Sequence, residues 1–250
     1  MTDQPAQLVH YAVADEVATL TLDSPHNRNA LSRQLVGELF DGLDRAEADD
    51  AVKVVLLRSA DRVFCSGADL SEATGEGMAE GARKIVELQR RIVASPKPVV
   101  VRLDGPVRAG GIGIVAASDI AVAAPGASFA LTEVRLGLAA AVISLTVFHR
   151  MTSRAGTRAV LTGETFDATT AYDWGLLTEV AEDVDAAVDS VLADLRKGHP
   201  QGLRESKRVV NLDLLDRLDR HGEAMAELSA RLFGSDAARE AMLAFLSRGK

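Results

Sequence analysis

The order of apolar and polar residues along the chain predicts a series of alternating strands and helices. Residues 8–22 alternate between the two classes with a break at residues 14–16, which predicts two strands joined by a tight turn. Residues 52–58 form an apolar, β-branched run of strand length. Further short strands are predicted at residues 98–105, 120–125, 128–131 and 176–180.

Helical spacing of apolar residues fills the segments between these strands. Ser32 is placed to cap a helix in which apolar residues recur every three or four positions from Leu35 to Leu43. Other helices are predicted at residues 72–94, 141–162 and 167–174, with three or four more between residues 183 and 247. The small residues that begin the 72–94 segment predict a mobile stretch.

This alternation predicts an α/β protein of two parts. Residues 1–182 form the α/β core with a buried sheet, and residues 183–250 form a helical region. The helical region carries apolar residues, so it must pack either on the core or on a neighbouring subunit.

Composition excludes several classes of function. The 250 residues carry a net charge of -8 without a basic block, so binding to nucleic acid is not expected. Cys65 is the single cysteine and no two histidines have metal-ligand spacing, so we expect neither a disulfide nor a metal site. The N-terminus does not resemble a signal peptide, and the longest weakly polar run, residues 136–148, is too short for a membrane span. We therefore expect a cytoplasmic protein without membrane insertion.

Two glycine-bearing loops follow predicted strands and are candidates for chemistry. The first glycine loop is residues 64–70, and the second glycine loop is residues 105–113, which opens a helix. Glycines let a backbone approach a ligand closely, and two such loops can present two N–H donors to one oxygen. The alternative is that the glycines serve only close helix–sheet packing. A dinucleotide-binding glycine motif is not expected, because no N-terminal βαβ unit carries it.

Four segments together resemble a known family. They read FCSGADL, DGPVRAGGIGIVAASDIAVA, ASFALTEVRLGL and LTGETFDATTAYDWGLLTEV, in this order and spacing. In this set the chain resembles the crotonase superfamily, that is, the enoyl-CoA hydratase/isomerase family, over nearly its whole length. The resemblance implies a crotonase-like ββα spiral core with a C-terminal helical trimerisation region, and assembly into a homotrimer or hexamer.

The resemblance also implies a substrate and its binding residues. The substrate is an acyl-CoA thioester, so coenzyme A is part of the substrate and no separate cofactor is expected. The backbone amides of Ala68 and Gly110 match the family's oxyanion hole. The positions that match its CoA contacts are Arg28, Ala30, Ser66, Asp69 and Leu70. Arg28 has a second interpretation as a solvated loop charge, and the sequence does not separate the two.

The acid/base residues depart from the family pattern. Hydratases of this family usually have two glutamates, which match Glu133 and Gly113 here, so one carboxylate is missing. Glu133 lies between apolar segments, which predicts a raised pKa suited to proton transfer. Its alternative role is an ion pair with Arg135.

The expected reaction is addition of water to a 2-enoyl-CoA, which could carry a branched acyl group. The alternatives are 3,2-enoyl-CoA isomerisation with a single glutamate, a non-catalytic acyl-CoA binder, and a thioester decarboxylase or hydrolase. Arg108 could meet a substrate carboxylate, although a surface charge is favoured. Cys65 is expected to be a buried structural thiol, and Trp174 to pack in the core or a trimer interface. Three further positions match family contacts to CoA or serve helix packing: Phe233, Phe245 and Lys250.

Overall fold

The computed structural model describes residues 6–72 and 77–248, with side chains described as far as residue 244. Within these ranges strands and helices alternate as predicted. Part of the stretch predicted to be mobile, residues 73–76, lies outside the described residues, as do Lys250 and the side chain of Phe245.

Nine strands form in the described residues. Numbered along the chain, they are β1 Val9–Ala14, β2 Val17–Leu22, β3 Val54–Ser59, β4 Val99–Leu103, β5 Pro106–Arg108, β6 Ile120–Ala123, β7 Ser128–Ala130, β8 Thr165–Asp167 and β9 Glu179–Val180.

The main sheet has six strands in the order β1-β2-β3-β4-β6-β9. The predicted hairpin is confirmed, because β1 and β2 pair antiparallel around Asp15 and Glu16, which both adopt positive φ values as a two-residue hairpin turn requires. The other neighbours pair parallel. Strands of a parallel sheet are covered on both faces, which explains the continuous apolar run in β3.

A second sheet joins β5, β7 and β8. Strand β7 was predicted, but β5 and β8 were not. Each has a single buried residue, Val107 in β5 and Phe166 in β8, so neither segment shows an apolar run. Strand β5 pairs parallel with β7, and β8 pairs antiparallel with it. This small sheet holds the second glycine loop beside the segment that leads to Glu133.

Ten α-helices surround the sheets in the described residues. They are α1 Arg33–Ala48, α2 Gly77–Ala94, α3 Gly110–Ala117, α4 Ala141–Arg150, α5 Ser153–Thr162, α6 Ala168–Asp173, α7 Val184–Lys197, α8 Pro200–Val210, α9 Leu212–Phe233 and α10 Asp236–Arg248.

The helices cover both faces of the main sheet. One face and helices α1 to α4 share the larger apolar core. On the other face, α7 packs Val184, Val188 and Leu192 against strands β3, β4 and β6. Helix α9 buries Leu214 and Leu218 in the larger core. Of the two possibilities for the helical region, α7 and α9 therefore pack on the core of their own chain.

Some helix boundaries differ from the prediction. The segment predicted as one helix over residues 141–162 is broken at Met151 and Thr152, where the N–H of Thr152 donates to the carbonyl of Trp174 at 2.9 Å. Ser32 caps α1 as predicted, since its side chain accepts a hydrogen bond from the N–H of Leu35.

Candidate active site

The two glycine loops lie side by side. The N–H of Phe64 donates to the carbonyl of Pro106 at 3.1 Å, and the N–H of Arg108 donates to the carbonyl of Cys65 at 2.9 Å. The first loop is held from its other side by the N–H of Leu31, which donates to the carbonyl of Gly67 at 2.8 Å. Backbone pairing on both sides thus fixes the first glycine loop.

Glycine is required where the loops are closest. Gly67 has a φ of +97°, and a Cβ there would lie 2.8 Å from the Cβ of Ala109. A Cβ on Gly110 would lie 2.7 Å from the side chain of Leu31 and 4.0 Å from the amide nitrogen of Ala68. This close approach makes the backbone amides of Ala68 and Gly110 neighbours.

Both amides can donate to a ligand. Gly110 is the first residue of α3, where backbone N–H groups have no partner inside the helix. Neither it nor the N–H of Ala68 has an acceptor in the described part of the chain. The residue before the helix, Ala109, has a φ of 45°, which is unusual for a residue with a Cβ and marks strained backbone at a candidate functional site.

Glu133 lies in a 3-10 helix over Thr132–Leu136, which we call the Glu133 turn, directly after β7. The turn ends at Gly137, whose left-handed conformation lets its N–H return to the carbonyl of Glu133. Strand β7 is joined to the second glycine loop, because the N–H of Ala109 donates to the carbonyl of Ala130 at 3.1 Å. Ala130 thus contacts the segment that opens α3, and Glu133 lies three residues further along the chain.

The carboxylate of Glu133 has the electrostatics predicted for it. Its Oε2 is buried and has no hydrogen-bond partner in the described structure. Burial raises the pKa of Glu133 from its usual value to about 7. The alternative of an ion pair with Arg135 is wrong, since that guanidinium turns instead to the carbonyl of Thr162 at 3.4 Å.

Other side chains occupy the space around Gly113. A Cβ on Gly113 would lie 2.6 Å from Cγ2 of Ile143 and 3.0 Å from Oε1 of Gln89. Gln89 is fully buried, and its Oε1 accepts a hydrogen bond from Oγ1 of Thr146 at 2.7 Å. None of these three side chains was predicted from the sequence. One signal was present: Gln89 is the polar residue on the apolar face of α2, four positions after Ile85.

The residues matched to CoA contacts come from two segments that touch. The loop at residues 23–32, which we call the Arg28 loop, meets the first glycine loop where the N–H of Ser66 donates to the carbonyl of Arg28 at 3.1 Å. Ser66 Oγ donates to the carbonyl of Asn27 at 3.0 Å, and Asn27 Nδ2 donates to Asp69 at 2.9 Å. Burial opposes ionisation of Asp69, but hydrogen bonds from Ser71 and Asn27 hold its pKa below the usual value.

Exposure distinguishes the members of this group. Arg28 is exposed, has a φ of 57°, and forms no ion pair within the described ranges. Leu70 is half-buried, and Ala30, within the Arg28 loop, is buried. Arg28 is thus a positive side chain available to a ligand, and Asp69 is engaged in holding the loops together.

Three other sequence candidates have structural roles. Cys65 is buried, and burial raises the pKa of its thiol to about 12, so the prediction of an inert thiol is confirmed. Arg108 is not the surface charge that was favoured. Its half-buried guanidinium donates to the carbonyl of Ser128 at 2.6 Å. Trp174 packs against Phe166, with ring centroids 4.8 Å apart.

Two other kinds of feature are absent from the described residues. No group of three or more histidine, cysteine, aspartate or glutamate residues there could hold a metal ion. In the same residues, no helix combines the length and apolar character that crossing a membrane requires.

Comparison with known proteins identifies the family. The enoyl-CoA hydratase/isomerase family matches residues 13–250. A solved enoyl-CoA hydratase from Mycobacterium avium is 51% identical, with a TM-score of 0.92 and 97% of each chain covered. The chain belongs to the enoyl-CoA hydratase/isomerase family and has the crotonase fold.

Relatives named for different reactions match about equally well. A Mycobacterium bovis protein named as a probable enoyl-CoA hydratase is 30% identical, with 94% of each chain covered. The 1,2-epoxyphenylacetyl-CoA isomerase of Escherichia coli is 29% identical, covering 93% of this chain and 92% of its own. Family membership therefore indicates an enzyme and leaves the choice between lyase and isomerase to the chemistry of the site.

Proposed function

We propose that this protein acts on an enoyl-CoA thioester, binding the thioester oxygen with the amides of Ala68 and Gly110 and moving one proton with Glu133. The observation that carries the proposal is the buried Oε2 of Glu133, which has no hydrogen-bond partner in the described structure. A carboxyl group with a pKa of about 7 can both accept and return a proton near neutral pH.

The two amides supply the electrostatic part of the reaction. As negative charge develops on the thioester oxygen, two fixed N–H donors stabilise it more than they stabilise the neutral carbonyl. The position of Gly110 at the start of α3 adds the favourable end of the helix dipole. The enolate formed in this way is common to hydration and to double-bond migration.

Hydration is the reaction that the names of several relatives suggest. Glu133 takes a proton from water as the water oxygen bonds to C3, and the C2=C3 electron pair moves into the enolate. The same carboxyl group then gives that proton to C2. A branched 2-enoyl group is included in this candidate as the expectation from the sequence.

Double-bond migration is the second candidate, and the filled surroundings of Gly113 favour it. Glu133 removes a proton from C2 of a 3-enoyl-CoA and returns it to C4, so the double bond moves from C3=C4 to C2=C3. This reaction needs one carboxylate and no bound water. It therefore tolerates the absence of a second acid at residue 113.

The CoA portion is assigned to the Arg28 loop and the first glycine loop. Arg28 supplies a positive charge for the phosphates in a protein whose net charge is -8. Ala30, Ser66, Asp69 and Leu70 would line the remaining contact, and no cofactor beyond this part of the substrate is proposed. We also propose that the enzyme is a homotrimer or hexamer.

A paired assay tests the proposal. Purified protein is incubated with crotonyl-CoA, with a branched 2-enoyl-CoA and with a 3-enoyl-CoA. Loss of the conjugated thioester absorbance reports hydration, and its appearance reports migration. The variant Glu133→Gln should lose turnover while keeping its affinity for the CoA thioester, whereas the exposed Glu182→Gln should behave like the wild type. Tight binding with no turnover of any substrate would instead indicate a non-catalytic acyl-CoA binder.

A further inference from the structure

Gly113 and Ile143 meet directly across the contact between α3 and α4. A Cβ on Gly113 would lie only 2.6 Å from Cγ2 of Ile143, and Ile143 is 1% exposed. The methyl group is attached to a β-branched carbon and is not the end of a flexible side chain. The structure thus has room at residue 113 for a hydrogen atom and for nothing larger.

Gln89 and Thr146 complete this closure. Nε2 of Gln89 donates to the carbonyls of Ile85 at 3.0 Å and Val142 at 3.1 Å, which uses both of its N–H groups. Oε1 of Gln89 accepts from Thr146 at 2.7 Å. The side chains of Ile143, Gln89 and Thr146, which we call the plug, therefore offer no free donor that could hold a water molecule.

The plug lies beside the candidate reaction centre. Gly113 is three residues after Gly110, so both lie on the same face of α3, one turn apart. Ile143 lies in the first turn of α4, ten residues after Glu133. The plug thus fills the space one helical turn along α3 from the oxyanion donor Gly110.

The two candidate reactions differ in what they need there. Hydration requires a water molecule held over C3, and a second polar group normally positions it. Double-bond migration requires only that the base reach both C2 and C4. Resting on the proposed function, we propose that the plug, through Ile143, selects proton transfer within the acyl chain over addition of water.

The variant Ile143→Ala tests this inference. It removes Cγ1, Cγ2 and Cδ1 and opens space against Gly113, so the ratio of hydration to migration should rise at least about tenfold. A second readout is migration in D₂O. In the wild type the proton held by Glu133 is shielded from solvent, and most of the product should lack deuterium at C4. In Ile143→Ala the deuterium content at C4 should increase.

Leu145→Ala is the matched control, because Leu145 is buried in the same helix but is not among the nearest neighbours of a Cβ at Gly113. It loses a similar volume and should leave both the product ratio and the deuterium content unchanged. If a folded Ile143→Ala keeps the wild-type ratio of hydration to migration and the wild-type deuterium content, the selective role of the plug is overturned. The proposed function would still stand. A wild type inert towards every enoyl-CoA would overturn the proposed function and, with it, any selectivity of the plug.

Discussion

The Oε2 of Glu133 is buried without a hydrogen-bond partner in the described structure, and only the backbone N–H of Glu133 itself favours the ionised carboxylate. Burial raises its pKa to about 7, and the ionised carboxylate is the form that acts as the base. We therefore expect kcat/KM to rise with pH up to about 7 and to level off above it. Steady-state rates between pH 5 and pH 9 measure this. A flat profile over that range would contradict the assignment of Glu133 as the base.

The raised pKa of Glu133 also predicts how the stability of the folded protein depends on pH. The pKa of Glu133 is higher in the folded state than in the unfolded chain, so the folded state loses stability as pH rises from about 4.5 to about 7. Glu133→Gln cannot ionise and should be more stable than the wild type at pH 8, by roughly 1–3 kcal/mol. The difference should vanish at pH 4. Urea unfolding at both pH values measures it, and an equal difference at both would be inconsistent with a buried ionised carboxylate.

Gly67 positions the Ala68 amide. Its φ of +97° disfavours any side chain, and a Cβ would press on the Cβ of Ala109. Gly67→Ala should displace the donor and lower kcat/KM by about 10²- to 10³-fold. Gly37→Ala is the control, because it lies in α1 with nothing within 4 Å of the new Cβ. Wild-type rates in a folded Gly67→Ala would argue against this amide as an oxyanion donor.

The sequence predicted the environment of a residue where the residues next to it along the chain determine that environment. It did not predict environments that are created by tertiary packing. The burial of Glu133 was predictable because apolar segments flank it. The closure of residue 113 was not, since Gln89 and Ile143 lie 24 and 30 positions away in sequence. The strained φ of Ala109 likewise arises from the fixed contacts of the loop on both sides and leaves no sequence signal.

At the scale of elements, α10 packs closely against the Glu133 turn at Gly137. A Cβ on this glycine would lie 3.3 Å from backbone atoms of Ala237 and Ala238, and its φ is +69°. Gly137→Ala should therefore destabilise the protein by about 1–2 kcal/mol and loosen α10. Limited proteolysis near Gly234 measures the loosening.

The control for this change is Gly163→Ala. Gly163 also has a positive φ, of +60°, but the contacts a Cβ would meet there are side-chain atoms of Arg135 and Val134 rather than α10. It should lose stability without faster cleavage near Gly234. Equal cleavage of the two variants would mean that Gly137 does not hold α10.

The accuracy of the element predictions followed the local apolar pattern of each element. Strands β3 and β4 of the main sheet were recognised because each buries a continuous apolar run. Strand β8 has three residues and pairs with β7 across more than thirty intervening positions, so only tertiary contact defines it. The break between α4 and α5 depends on Thr152 meeting Trp174, which is also a tertiary contact.

At the scale of the whole molecule, the surface of one chain includes an apolar group at the junction of α8 and α9. Val209, Val210 and Leu212 are 64%, 65% and 55% exposed. Adjacent apolar side chains at this level of exposure are a usual sign of a protein interface. Because soluble homo-oligomers with closed symmetry bury such groups between copies, this patch is a candidate for the contact in the proposed trimer or hexamer.

The molar mass measured by light scattering should be three or six times the 26.5 kDa of one chain. The double variant Val209→Glu and Val210→Glu places two charges in the patch and should lower the mass, because burying unpaired charges between subunits is unfavourable. Val13→Glu, on strand β1 and 43% exposed, is the control and should keep the wild-type mass. A wild-type protein that remains monomeric at high concentration would refute the assembly. An oligomer unaffected by the double variant would place the interface on another face of the molecule.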